Sequence, residues 1–142
     1  MIAWAKLLLL GMGLTFMTTA NISRADEPKK GEPRLFEMRT YYAAPGKMDA
    51  LHARFRDHTC KLFEKHGMTL IGFWSPTDAQ DGQKRMVYIL AHASKEAADK
   101  SWAAFRDDPD WKKAKAESEK DGPLVTKVES VFLKATDYSP LK

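Results

Sequence analysis

Between Leu35 and Tyr42 the side chains alternate in character, with Phe36, Met38 and Thr40 on one face and Glu37, Arg39 and Tyr41 on the other. That is the period-two signature of a strand. The apolar face is expected to lie on helices, and the charged, aromatic-tipped face on a partner sheet or a ligand. Pro45-Gly46 breaks the strand. From Lys47 the period lengthens: Met48, Leu51, Phe55, Thr59, Leu62 and His66 recur every three or four residues. This spacing predicts an amphipathic helix of about five turns, stopped by Gly67 with His66 near its negative end.

Met68 to Ser75 reads as a second strand and Pro76 to Gln83 as a hairpin loop. Arg85 to His92 reads as a third strand, with Met86, Tyr88 and Leu90 on one face and Val87, Ile89 and Ala91 on the other. Apolar residues on both faces imply cover on both. Ser94 is a good N-cap for a helix carrying Ala98, Trp102 and Phe105 inward. Asp108-Pro109, a cap followed by Pro at the first helical position, restarts a short helix with Trp111, Ala114 and Ser118 on one side. Gly122-Pro123 closes it, Leu124 to Ala135 forms a fourth strand, and a polar tail follows.

The order β-α-β-β-α-β predicts an α+β, ferredoxin-like domain: a four-stranded antiparallel sheet with both helices on one face. Right-handed crossovers place the first strand between the third and fourth. The other sheet face stays bare although the third strand is apolar there. Soluble monomers avoid such a face, so a homodimer with sheets facing each other across a barrel-like interior is expected.

The N-terminus changes the picture of where this domain works. Lys6 ends a short basic start, Leu7 to Ala20 is free of charge, and Ser23 and Ala25 are small residues spaced for signal peptidase. The uncharged run is shorter than the about 20 residues a bilayer takes. The expected layout is a signal peptide over 1–25, cut after Ala25 (or after Ala20), a mobile tether over 26–34, the domain over 35–136 and a tail over 137–142. The product would be exported, periplasmic or extracellular, and free of the membrane after cleavage. The leader carries Lys6 and Arg24 and no acid, so the formal charge falls from +4 to +2. With no basic block, nucleic acid is not an expected partner. The single cysteine, Cys60, excludes an internal disulfide and is expected to be buried.

Several stretches together resemble the NIPSNAP family of the dimeric α/β-barrel group. They are Phe36-Glu37-Met38-Arg39-Thr40-Tyr41 with Pro45-Gly46-Lys47, then His66-Gly67-Met68, Gly72-Phe73-Trp74, Asp108-Pro109-Asp110-Trp111 and Glu129-Ser130. The resemblance runs from Leu35 to about Ala135. It implies the fold and a dimer, in a bacterial-type exported member. Family members include mitochondrial proteins linked to vesicle traffic and mitophagy and many bacterial proteins of unknown role. Where members usually carry Trp and then Tyr late in the third strand, this chain has Leu90 and His92.

Candidate chemistry centres on the charged face of the first strand. With strands one and four antiparallel, Arg39 can sit opposite Glu129, Glu37 near Val131 and Tyr41 near Lys127. Glu37, Arg39, Tyr41, Glu129 and His92 are therefore the candidate ligand-binding set in the barrel interior. The competing reading is a structural ion pair that fixes register. His58, on the Leu51, Phe55, Leu62 seam, and His92 are candidate bases or haem ligands, and the resemblance extends to barrel families with haem-degrading and cofactor-free oxygenases. No HExxH, CxxC, phosphate loop or Ser/His/Asp order is present, so no metal and no cofactor is expected, with haem the alternative. Trp74, Tyr88, Trp102 and Trp111 are at core spacing. The function expected is a non-catalytic dimeric binding or interaction module for a small-molecule ligand or protein partner; the alternative is a small-molecule monooxygenase or haem-handling enzyme using the barrel interior.

Overall fold

The computed structural model describes residues 34–78 and 84–142. The expected leader, its cut, the tether up to residue 33 and the middle of the hairpin loop lie outside the described residues.

Four strands form one antiparallel sheet: β1 (Leu35–Ala43), β2 (Thr69–Trp74), β3 (Arg85–His92) and β4 (Val125–Lys134), in the order β2-β3-β1-β4. The first strand is central, as the crossover rule requires. The first helix is one rod in three parts: α1 (Met48–Arg54), a π-helical turn (Phe55–Thr59) and α2 (Cys60–Lys65). The Thr59 hydroxyl donates to the Arg54 carbonyl at 3.2 Å inside the wider turn. Thr59 is thereby buried, and His58 is turned to solvent rather than inward. Gly67, at φ 77°, makes the left-handed stop. Helix α3 (Lys95–Asp107) is capped by Ser94, whose hydroxyl accepts from the Ala97 amide; α4 (Pro109–Ser118) is capped by Asp108, which accepts from the Asp110 and Trp111 amides.

The core lies between the sheet and the helices and is largely aromatic. Tyr88 sits at its centre with no exposure, 5.3 Å from the rings of Tyr41, Phe55 and Phe73. Phe63, Trp102 and Phe105 continue the cluster under α3, and Trp111 meets Phe105 at 4.5 Å. Edge and tilted contacts of this kind add to the area buried. Trp74 departs from the expected packing role: it is 52% exposed, its ring folded back over Gly72. Cys60 is half-buried against the core, and burial pushes its thiol pKa up.

Two expectations about β1 are corrected. Its faces are the reverse of the hydrophobicity reading: Glu37, Arg39 and Tyr41 point under the helices, and Phe36, Met38 and Thr40 point to the bare side. The β1–β4 register is also one residue away, with Arg39 opposite Ser130, Glu37 opposite Phe132, Tyr41 opposite Val128 and Thr40 opposite Glu129. A one-residue shift moves every side chain to the other face, so Glu129 leaves the candidate set.

The bare face carries Met38, Ile71, Val87, Ile89, Trp74, Val131 and Leu133, half-buried or exposed. At one end the C-terminal tail crosses it. Arg34 donates from Nε to the Lys142 carbonyl at 2.8 Å, and Phe36 beneath is only 7% exposed.

Candidate functional site

The candidate site is a buried carboxylate. Glu37 is 2% exposed near the start of β1. Its Oε2 accepts from the Trp102 indole at 2.7 Å and from His92 Nε2 at 3.1 Å. Its Oε1 accepts from the Ser130 hydroxyl at 2.7 Å and from Arg39 Nη1 at 3.2 Å. Since an ionised carboxylate only accepts, the Nε2 of His92 carries the proton of that contact. Burial alone would raise the Glu37 pKa. The bonds from His92, Ser130 and Trp102, with the charge of Arg39, outweigh burial and hold it down at about 2.

Each partner arrives from a different element. Ser130 faces Glu37 from β4, His92 comes from the end of β3, and Trp102 hangs from α3. The Arg39 guanidinium stacks on the Trp102 ring at 4.1 Å and lies 5.7 Å from Tyr41, so one cation covers the indole that serves the carboxylate. The structure therefore unites Glu37, Arg39 and His92, with Tyr41 beside them. It excludes Glu129, which pairs on the outer surface with Lys127 at 2.5 Å and accepts from the Tyr42 hydroxyl at 3.1 Å. Trp102 and Ser130 complete the cluster. Trp102 was legible only as an apolar anchor, and Ser130 only as a neighbour of Glu129.

Around the carboxylate the arrangement is closed, while Arg39 Nε and His92 Nδ1 are buried without a partner. Both carboxylate oxygens accept two bonds, and a group ionised down to about pH 2 has no proton to give at neutral pH. Such a cluster fixes the positions of three strands and a helix. Among the described residues no group of three or more His, Cys, Asp and Glu side chains is placed to hold a metal ion.

A second buried charge lies at the far end of the helices. Arg54 donates to Glu119 at 2.8 Å and to the Ser118 hydroxyl at 3.3 Å, over the Trp111 ring. It borders an open cleft of about 310 Å³ that also takes in Tyr41, Lys115 and Val128. Between the helices, Asp108 accepts from Lys65 at 2.8 Å and His66 at 2.7 Å while capping α4. The Lys65 and His66 bonds hold its carboxyl well below the usual range.

With the fold and this cluster in place, the comparisons with known proteins decide the family. The NIPSNAP family model matches residues 36–140. The chain belongs to the NIPSNAP family. Among solved structures it is similar to a NIPSNAP family protein of unknown function from Agrobacterium tumefaciens, at 22% identity and a TM-score of 0.67, covering 82% of this chain and 100% of that one. It is also similar to an uncharacterized NIPSNAP-like domain protein from Burkholderia xenovorans, at 16% identity and TM-score 0.66, covering 77% and 90%. A putative antibiotic biosynthesis monooxygenase from Nitrosomonas europaea aligns at 14% identity and TM-score 0.51, covering 73% and 99%. At these identities the likenesses establish the fold. No curated protein matches the chain. Within the matched span, Phe36 to Tyr41 is the stretch that holds the buried carboxylate.

Proposed function

We propose that this NIPSNAP protein is an exported, non-catalytic binding or interaction module that works as a homodimer joined through the bare face of its sheet. The observation that carries this reading is the contrast between the two faces. On the helix side, Glu37 has all its acceptor capacity engaged by protein donors. On the other side, Val131 is 47% and Trp74 52% exposed, with Met38, Val87 and Ile89 between them. Apolar surface of that continuity marks an interaction site, and a two-fold pairing of sheets would cover it twice over. Export is supported by the leader pattern, and the small charge by contrast offers nothing to nucleic acid.

The competing function, a monooxygenase or haem-handling enzyme, needs a free base or ligand in the interior. His58 faces solvent, and His92, bound to Glu37 through Nε2, keeps a buried Nδ1 without a partner, which is the atom the enzyme reading would have to use. Absorbance of the native protein and a haem titration separate the two functions. The module predicts no Soret band and no saturable uptake. Haem bound at one per subunit would establish the alternative.

A further inference from the structure

We propose that the C-terminal tail, 136–142, is an intramolecular strap that occupies one end of the sheet face and must be displaced before a second copy of this chain can seat there. This rests on the dimer reading above and adds its regulation.

The tail does not run away from the domain. The Ser139 amide donates to the Thr136 carbonyl at 3.1 Å, turning the chain back. Lys142 Nζ closes the loop on the Thr136 and Asp137 carbonyls, the latter at 2.7 Å. Arg34, at the mouth of β1, ties down the Lys142 carbonyl and lies 5.4 Å over the Phe36 ring. Leu141 thereby lines one groove with apolar residues of all four strands, Phe36, Ile71, Ile89 and Leu133. Beneath it Phe36 is nearly buried, whereas Val131, outside the tail's reach, is half-exposed.

The seat is loose. A groove of about 330 Å³ remains between tail and sheet, and Leu141 itself is half-exposed. Its tethering bonds are at the surface, where each contributes little net stability. Such a segment opens at low cost. It is nonetheless held by a short connection, and a short flexible tether gives an effective concentration in the millimolar range. A second copy at micromolar concentration competes against that, so the apparent dissociation constant is raised by the reciprocal of the fraction of chains with the tail open.

Sedimentation over a dilution series tests this with three chains: the native sequence, one ending at Ala135, and full-length Leu141→Asp, which frees the tail without shortening it. Circular dichroism checks that each is folded. The strap predicts that both altered chains dimerise more tightly, with dissociation constants lower by about threefold or more, the reciprocal of the open fraction. Dimerisation unchanged or weakened in a folded altered chain overturns the strap and leaves the dimer standing, with the tail then a bystander or part of the interface. If no chain associates anywhere in the series, the dimer reading falls and the strap with it.

Discussion

Glu37 shows how one residue's surroundings can reverse the reading of its sequence. A carboxylate in a strand is ordinarily placed toward water, because burying it unpaired is costly. Here four donors meet it, and removing that acceptor would leave Trp102, Ser130, His92 and Arg39 each seeking a partner. The consequence appears in acid. The carboxyl pKa is lowered from 4.5 to about 2 in the folded chain, so the unfolded chain takes up this proton first as pH falls. The stabilisation is whole above about pH 4.5 and is lost on descent toward pH 2, amounting to roughly 2–3 kcal/mol. Urea unfolding followed between these limits is expected to show this loss in the native protein and a flatter profile in Glu37→Gln. An equally steep profile in the variant would assign the acid sensitivity elsewhere.

At the scale of elements, strand pairing is what the cluster reports. Arg39 lies beside Glu37 on one strand and across from Ser130. A double-mutant cycle of Arg39→Met with Glu37→Gln is expected to give a coupling of about 1–2 kcal/mol, and Arg39→Met with Glu129→Gln to be additive within about 0.5 kcal/mol. Coupling to Glu129 instead would mean that β4 is displaced by one residue. The order, spans and caps of the elements were legible: the Ser94 and Asp108 caps and the Gly67 stop are short-range chemistry that a sequence carries directly. The facing of β1 was not. Hydrophobicity pointed Phe36 and Met38 at the helices, but the side that can hydrogen-bond Glu37 is decided by Trp102, His92 and Ser130, which are distant in sequence. The register failed for the same reason, since Arg39 next to Glu129 is good electrostatics that ignores the competing donors. His58 was misplaced by the π-helical turn, a feature without a sequence period, and buried Arg54 was invisible without α4 beside it.

For the whole molecule, these corrections strengthen the case for a partner. Turning Glu37 inward turns Phe36 and Met38 outward, so the uncovered face is more apolar than the alternation of β1 alone predicts. The polar cluster then holds the sheet's central strands rigid from behind, while the front stays open except where the tail crosses. The central claim, that the bare face joins two copies, is tested most directly by sedimentation equilibrium of the native protein alongside Val131→Glu, a substitution on the β4 side of that face, opposite Met38 and clear of the tail. The account predicts a dimer at micromolar concentration for the native chain and a folded monomer for the variant, because a charge placed in an apolar interface is left unpaired. A native chain that stays monomeric throughout, or a variant that dimerises as well as the native one, would contradict it.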